Sequence, residues 1–363
     1  MDIFKNISRL GLGTMRLPTK GDDVDIEKTK KLVDHFFASG MNYVDTAYMY
    51  HNGTSELAVK DAIVKRYPRQ KFYLANKLPA WNVKTPEDVS RIFNDQLEKC
   101  GVTYFDFYLM HALTGDRSKH LEDMKAYEFC MQMKNEGKIK HLGFSFHGSA
   151  DDLRHILKTH PEFEFVMLQL NYYDWMGECK EHYEIAREFD KPIVVMEPVR
   201  GGALANLPPK AEEVLKGLNP KVSLASWAVR YVASLDGVKV VVSGMSSLEQ
   251  AVDNVLTLKD FVPLNSAEYK AIEEVQQIML STKSVPCTAC NYCDICPVGI
   301  PIADILAMYN KFLLMNADME FKGSYNKIPK DKNASACTNC RACVNVCPQN
   351  IDVPEVFEKV KNI

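Results

Sequence analysis

Residues 72–111 read FYLANKLPAWNVKTPEDVSRIFNDQLEKCGVTYFDFYLMH. Runs rich in aromatic and aliphatic residues stand at the two ends of this stretch, and an amphipathic segment lies between them. That segment opens with Thr85-Pro86-Glu87-Asp88, a capping residue followed by proline and acids, which is typical of a helix N-terminus. The order strand, helix, strand predicts a parallel βαβ unit.

The same alternation extends from residue 8 to about residue 280. Eight short apolar runs are candidate strands: Ser8 to Gly13, Asn42 to Thr46, Phe72 to Lys77, Phe105 to His111, His141 to Ser145, Phe165 to Leu170, Ile193 to Met196 and Val238 to Ser243. Amphipathic stretches between them predict helices, one of which opens with Ser55-Glu56 as cap and first-turn acid, and residues 265–281 predict a further helix. Eight strands and eight helices over roughly 250 residues favour an α/β fold of the (β/α)₈ TIM-barrel type. A doubly wound sheet would carry a phosphate-binding glycine fingerprint, whereas Gly11 and Gly13 form only G-x-G.

Composition limits the classes of partner. The chain has 363 residues, 44 Lys plus Arg against 47 Asp plus Glu, and a net charge of -3. Such a balance provides no strong field for nucleic acid or an anionic membrane, so neither is an expected partner. Residues 1–20 lack a signal or transit pattern, and no run approaches the roughly 20 apolar residues of a membrane span. We therefore expect a cytoplasmic protein with reduced thiols.

Eight of the 11 cysteines fall in two runs near the C-terminus. CTACNYCDICP holds Cys287, Cys290, Cys293 and Cys296, and CTNCRACVNVCP holds Cys337, Cys340, Cys343 and Cys347. A disulfide framework is not expected, because disulfide-dense chains are small and secreted. Three cysteines spaced three apart, then Cys-Pro, are typical of two-cluster ferredoxins, in which the fourth cysteine ligates the other cluster.

This spacing predicts two [4Fe-4S] clusters with exchanged fourth ligands. One would be held by Cys287, Cys290, Cys293 and Cys347, and the other by Cys337, Cys340, Cys343 and Cys296. Zinc held by four thiolates is the alternative, but zinc ribbons usually show paired C-x-x-C hooks. We accordingly predict a barrel domain over residues 1–282 and a small α-helical, bacterial-ferredoxin-like domain over residues 283–363. The first run is one residue shorter than the commonest spacing, and Cys100, Cys130 and Cys179 are interpreted as packing residues.

Four polar residues follow successive predicted strands, where catalytic groups of TIM barrels lie. Asp45 and Tyr50 follow the second strand, Lys77 ends the third and His111 ends the fourth. Tyrosine is a useful general acid only if its pKa falls from about 10, which a neighbouring ammonium favours. Lys77 held by Asp45 would supply that charge, and His111 could orient a substrate oxygen. Each residue alone has a structural alternative, namely a loop cap, a solvated strand end or a core histidine.

With these residues the chain resembles an aldo-keto reductase, in the branch with a C-terminal two-cluster ferredoxin-like domain. The resemblance covers RLGLGTMRLP, DTAYMY, LGFSFHG, LQLNYY, SGMSSLEQAVDN and both cysteine runs. It implies a barrel that binds NADP(H) across the strand ends and transfers hydride to an aldehyde or ketone. By the same resemblance, Tyr50 is the acid, Lys77 and Asp45 tune it, and His111 orients the carbonyl.

The resemblance also implies nucleotide-binding residues at the strand ends. They are Gly13, Thr14 and Met15 beside the nicotinamide, Ser145 and Gln169 at its carboxamide, Met196 beneath it, and Gly244, Ser246, Gln250 and Asn254 at the adenosine phosphate. Three positions depart from the family pattern: Phe146 replaces asparagine, Met196 replaces an aromatic residue, and Gln250 replaces arginine. NADP and NAD therefore both remain open.

Three functions fit these features. The leading hypothesis is an iron–sulfur oxidoreductase that reduces a small carbonyl substrate and whose clusters exchange single electrons with the active site or with a redox partner protein. In the second, the clusters only stabilise a small domain. The third is an electron-transfer or redox-sensing protein on a modified barrel. Hydride carries two electrons and each cluster takes one, so a direct relay between them is chemically difficult without a flavin.

Overall fold

A computed structural model describes residues 2–281, 284–315 and 318–363. Its contacts divide the chain into two compact units, which we call the barrel unit (residues up to Pro198, and Ala228–Leu264) and the cysteine unit (Val199–Trp227 and Asn265–Ile363). The domain boundary predicted at residues 282 and 283 lies outside the described residues and stays a prediction. Within the described ranges, no helix is long and apolar enough to cross a membrane.

The barrel unit contains all strands of the described residues. They are β1 (Leu10–Gly13), β2 (Thr19–Lys20), β3 (Asp23–Val24), β4 (Tyr43–Asp45), β5 (Tyr73–Pro79), β6 (Phe105–Leu113), β7 (Ile139–Phe146), β8 (Phe165–Gln169), β9 (Ile193–Met196) and β10 (Val238–Gly244). Eight of them form a closed parallel barrel in the order β1-β10-β9-β8-β7-β6-β5-β4, which β1 closes by pairing with β4. The predicted barrel is thus confirmed, and the small antiparallel hairpin of β2 and β3 was not predicted.

Helices follow the barrel strands and also make up the cysteine unit. They are α1 (Ile26–Ala38), α2 (Ser55–Val59), α3 (Pro86–Cys100), α4 (Gly115–Asp123), α5 (Ala126–Asn135), α6 (Ala150–Thr159), α7 (Glu178–Glu188), α8 (Pro209–Leu218), α9 (Leu224–Ala233), α10 (Leu248–Lys259), α11 (Ser266–Leu280), α12 (Ile302–Met315), α13 (Asp318–Tyr325), α14 (Ala342–Val346) and α15 (Val353–Lys361). Thr85 and Asp88 form a capping box at the start of α3, as the sequence predicts.

The N-terminal segment packs Phe4 into the apolar interior of the barrel. The ring of Phe4 stacks on Phe107 with a centroid distance of 5.1 Å and meets the edge of Phe165 at 5.9 Å. Each buried aromatic side chain contributes roughly 1.5–3 kcal/mol to folding. Apolar packing thus closes the end of the barrel at which Phe4 lies.

The cysteine unit has its own apolar core. Buried members include Ile305, Leu306, Tyr309 and Phe357, and five cysteines of the two runs pack against them. The two cysteine runs are therefore attached to a folded helical framework.

Candidate functional site

Asp45, Tyr50, Lys77 and His111 meet at the carboxyl ends of β4, β5 and β6. Lys77 Nζ lies 2.5 Å from Asp45 Oδ1, 2.8 Å from the Thr46 carbonyl oxygen and 3.3 Å from Tyr50 Oη. The Tyr50 and His111 rings stand edge to face with a centroid distance of 6.2 Å. The structure thus brings together the four residues selected from the sequence.

Strand register explains this convergence. Asp45 is the last residue of β4 and pairs with Ala75, two residues before Lys77 on β5. Beyond that point β4 has ended, so the Lys77 side chain can reach across to Asp45 and to the loop that carries Tyr50. His111 is held on β6 opposite Pro79.

Burial controls the electrostatics of this group. Asp45, Lys77 and His111 expose 3%, 1% and 4% of their surface, whereas Tyr50 is half-buried. Burial raises the pKa of Asp45 and lowers the pKa of Lys77, and their mutual attraction opposes both shifts. Burial, with the Lys77 charge nearby, lowers the pKa of His111 well below its usual value. His111 is therefore neutral at pH 7 and can donate one N–H hydrogen bond.

His111 is followed by a strained turn. Ala112 has a φ of 53°, a left-handed conformation that costs a non-glycine residue roughly 1–2 kcal/mol. Its N–H donates to Ser145 Oγ at 2.7 Å, and its carbonyl accepts from Arg117 at 2.8 Å. The Arg117 guanidinium lies over Trp81, whose ring centroid is 5.0 Å from that of His111. These contacts fix the backbone directly after the histidine.

The residues expected to bind the nucleotide lie at the carboxyl ends of β1, β7, β8, β9 and β10 or just beyond them. Gly13 pairs with Gly244, and Thr14 Oγ1 donates to the Asp45 carbonyl at 3.0 Å, with Met15 next in the same turn. Gln169 is opposite Met196 in the register of β8 and β9.

Some of these side chains already have protein partners. Ser145 Oγ holds the Ala112 N–H, and Gln169 Nε2 donates to Asp174 Oδ2 at 2.9 Å. At the start of α10, Gln250 Oε1 accepts the Ser246 N–H at 2.7 Å, and Asn254 donates to Ser243 at 3.0 Å.

A Cβ added at Gly13 would lie 3.0 Å from Val242, so a glycine at this position lets β1 pack closely against β10. One feature of this region fits a nucleotide. Helix α10 begins shortly after β10 ends, and helix N-termini favour phosphate groups.

A buried polar cluster beside Lys77 was not foreseen from the sequence. Ser55 and Glu56 do begin α2, but both side chains are buried, and Ser55 Oγ lies 2.7 Å from Thr14 Oγ1. Burial raises the pKa of Glu56 to about 7. Asn76 Nδ2 donates to Glu56 Oε1 at 2.8 Å. A Ser-Glu pair reads as an ordinary helix start in sequence, so no local pattern would have placed it inside.

In the cysteine unit, the predicted ligands line two cavities. Cys287, Cys290, Cys293 and Cys347 line one, which Cys343 also borders. Cys296, Cys337, Cys340 and Cys343 line the other. Each cavity thus combines three cysteines of one run with the last cysteine of the other, or with its last two. In the described residues, no three His, Cys, Asp or Glu side chains lie close enough together to hold a single metal ion.

The two cysteine runs have the same backbone pattern. Left-handed residues flank the second cysteine of each, Ala289 and Asn291 around Cys290 and Asn339 and Arg341 around Cys340. The residue three positions after each Cys-Pro cysteine, Gly299 or Asn350, is also left-handed and donates its N–H to that cysteine's carbonyl. Equivalent turns around equivalent cysteines give two similar cavities, although the gap before the last cysteine differs by one residue.

Comparisons with known proteins agree with this architecture. A family model described as the aldo/keto reductase family matches residues 9–277, more than half of the chain. The chain belongs to the aldo/keto reductase family. It is accordingly an NAD(P)-linked oxidoreductase. A second model, a 4Fe-4S binding domain, matches residues 331–351, which include the second cysteine run.

Individual relatives have low sequence identity to this chain but match it over most of its length. An uncharacterized oxidoreductase of Bacillus subtilis is 25% identical over 280 residues, covering 69% of this chain and 87% of that protein. The NADH-specific methylglyoxal reductase of Escherichia coli is 22% identical over 321 residues, covering 75% of this chain and 96% of that protein. A solved aldo-keto reductase of Bacillus halodurans, in its holo form, has a TM-score of 0.60 and 27% identity, over 74% of this chain and 92% of its own.

Proposed function

We propose that the barrel unit reduces an aldehyde or ketone with NADH or NADPH, and that Tyr50 donates the proton. The observation that carries this proposal is the buried ammonium of Lys77, 2.5 Å from Asp45 and 3.3 Å from Tyr50 Oη. The nicotinamide, when bound, supplies the hydride that adds to the carbonyl carbon. Tyr50 Oη gives its proton to the carbonyl oxygen, so that an alcohol and a tyrosinate result, and Lys77 stabilises that tyrosinate.

The four residues have separate roles in this reaction. His111 is neutral at pH 7 and has no imidazolium proton to give, so it orients the carbonyl oxygen by a hydrogen bond, and Tyr50 is left as the acid. Asp45 holds Lys77 in place. Gly13, Thr14, Met15, Ser145, Gln169 and Met196 would position the nicotinamide, and Gly244, Ser246, Gln250 and Asn254 the adenosine phosphate.

Small carbonyl compounds are the first substrates to test, because one relative is a methylglyoxal reductase. Gln250 uses its side-chain oxygen to hold the Ser246 N–H and offers no charge to a 2′-phosphate. Hydrogen bonds from a charged side chain to a phosphate are stronger than those from a neutral one. Since Gln250 is neutral, it gives no basis for preferring NADPH over NADH. Both nucleotides belong in the assay.

The cysteine unit, in this proposal, carries two [4Fe-4S] clusters. One is held by Cys287, Cys290, Cys293 and Cys347, and the other by Cys296, Cys337, Cys340 and Cys343. The two matching cavities and the repeated left-handed turns support this assignment. A [4Fe-4S] cluster holds its four thiolates farther apart than a single zinc ion does.

The clusters, when bound, carry one electron each, and we propose that they exchange these electrons with a redox partner protein. Cys340, a predicted ligand, is exposed, which gives such a partner access. The alternative is that the clusters only stabilise the unit. One observation supports it, namely that five of the cysteines pack against the apolar core.

The test uses holoprotein purified without oxygen. NADH and NADPH are added separately, with a panel of small aldehydes, while nicotinamide oxidation and visible cluster absorbance are followed together. We expect aldehyde-dependent oxidation of one or both nucleotides. Reversible bleaching of the clusters by an added one-electron donor protein would support electron exchange, whereas clusters that no donor reduces would support the stabilising role. A holoprotein that oxidises neither nucleotide with any aldehyde would contradict the reductase proposal.

A further inference from the structure

Lys77 pairs with Leu109 of β6, but on the side of β5 that faces β4 its peptide groups are held by side chains and not by a strand. Strand β4 pairs with β5 only from Tyr43 to Asp45, opposite Tyr73 to Ala75. Farther along β5, the Lys77 N–H donates to Asn76 Oδ1 at 2.8 Å, and the Lys77 carbonyl accepts from Gln96 Nε2 at 2.9 Å. Two amide side chains thus satisfy the peptide groups of Lys77.

These two amides belong to a closed network of buried groups. Gln96 Nε2 also donates to Asn76 Oδ1 at 3.0 Å, and Gln96 Oε1 accepts from the Tyr108 hydroxyl at 2.6 Å. Asn76 Nδ2 donates to Glu56 Oε1 at 2.8 Å. Glu56, Asn76, Gln96 and Tyr108 each expose 0% of their surface, so every one of these bonds is shielded from water.

The network reaches Lys77 from the side of the strand opposite its ammonium. Successive residues of a strand point to opposite faces, so the Lys77 side chain faces Asp45 and Tyr50 while that of Asn76 faces α2 and α3. Glu56 belongs to α2 and Gln96 to α3. Because both side chains hydrogen-bond to Asn76, this part of β5 is held to two helices.

We infer that Glu56, Asn76 and Gln96 are positioning residues that hold the peptide of Lys77 so that its ammonium reaches both Asp45 and Tyr50. The inference rests on the proposed role of Lys77 in proton donation. Small misplacements of a catalytic group lower the rate strongly, on the order of a hundredfold for about 1 Å. Gln96 touches Lys77 directly, and Glu56 acts through Asn76.

Paired variants test this inference in the holoenzyme. Gln96→Met removes the bond to the Lys77 carbonyl, and we expect kcat to fall on the order of tenfold to a hundredfold with KM unchanged. Glu56→Leu should behave similarly, whereas Glu56→Gln keeps the acceptor for Asn76 and should retain kcat. If Gln96→Met gives no soluble protein, Gln96→Glu keeps the acceptor for the Tyr108 hydroxyl but puts a carboxyl in place of the amide donor, and should lower kcat in the same way.

Asp106→Asn is the matched control, because Asp106 Oδ2 accepts the Leu74 N–H at 2.8 Å near the opposite end of the same strand. It should lower the midpoint of urea unfolding but leave kcat unchanged. Wild-type kcat in both Gln96→Met and Glu56→Leu would overturn the inference, as would an equal kcat loss in the destabilised control. Full activity of Tyr50→Phe, measured alongside, would instead overturn the proposed function and the inference with it.

Discussion

At the barrel mouth, Lys77 is fixed by side chains that hold both its ammonium and its peptide, whereas in the cysteine unit Cys290 and Cys340 are fixed by left-handed turns on either side of them. The first arrangement depends on residues far apart in sequence, since Asp45, Lys77 and Gln96 come from three elements. The second depends on residues within a few positions of each cysteine. One site is thus built by tertiary contacts alone, and the other by local turns together with the approach of the two cysteine runs, so the two should respond differently to mutation.

Removing the ammonium at the barrel mouth should have the largest effect. Lys77→Met leaves the Asp45 carboxylate buried without its cation, which costs about 3–5 kcal/mol of stability, and removes the charge that tunes Tyr50. We expect kcat to fall by roughly 10²–10⁴ and the urea midpoint to drop, with cluster absorbance unchanged. A loss of cluster absorbance in step with activity would break the distinction between the two sites.

Removing one cysteine should affect the other unit alone. Cys340→Ser should eliminate one cluster and about half of the bound iron, because the other predicted set does not include it. Reduction of an aldehyde by the barrel should persist. Iron content and the electron paramagnetic resonance of the reduced protein are the measurements, with Cys130→Ala as a control outside both sets. Unchanged iron in Cys340→Ser would refute the ligand assignment.

Acid should lower the stability of the barrel unit, because the Glu164 carboxylate becomes protonated. Burial acts to raise the pKa of this carboxyl, but hydrogen bonds from His141, Lys134 and the Leu142 N–H outweigh it and hold the pKa at about 2. Because the folded-state pKa lies below the ordinary value of 4.5, the stabilisation is present above about pH 4.5 and is lost as pH falls toward 2.

We expect this contribution to be about 1–3 kcal/mol, allowing for the partial exposure of the pair. Urea unfolding followed by circular dichroism at pH 7 and pH 3 would measure it in the wild type and in Glu164→Gln. The wild type should lose more stability between the two pH values than the variant does. Equal losses would show that this carboxyl is not responsible.

The smallest effect is expected at a left-handed turn of the first cysteine run. Ala289 has a φ of 50°, so Ala289→Gly should relieve backbone strain and stabilise the cysteine unit by roughly 0.5–1 kcal/mol. Ala307→Gly, on an exposed helical position of α12, should instead destabilise it by about 1 kcal/mol. The temperature at which cluster absorbance is lost measures both. Shifts of the same sign in the two variants would argue against backbone strain at Ala289.

The contrast between the units also explains what the sequence could predict. The barrel strands were found because each is a short apolar run bounded by turn residues, and the tetrad because it follows strand ends in order. The cavities of the cysteine unit follow the spacing of Cys287 to Cys347, since local turns place the thiols. The sequence does not decide between NAD and NADP, because Gln250 replaces the arginine of the family pattern and has no charge with which to hold a 2′-phosphate.

Features that depend on tertiary packing were missed. Gln96 and Glu56 look like ordinary polar positions on amphipathic helices. Their side chains are buried against Asn76 of β5, a contact between distant elements that no local pattern reveals. The hairpin Thr19–Val24 is too short to give a periodic signal. The assignment of residues 199–227 to the cysteine unit depends on contacts made far along the chain.

The most direct test of the central claim is the single-turnover rate of hydride transfer in Tyr50→Phe. Holoprotein with both nucleotides available would be mixed with an aldehyde reduced by the wild type, and nicotinamide absorbance followed without oxygen. The account predicts a rate lower by about 10²-fold or more, with cluster absorbance and iron content equal to those of the wild type. Hydride transfer at the wild-type rate would contradict the assignment of Tyr50 as the proton donor.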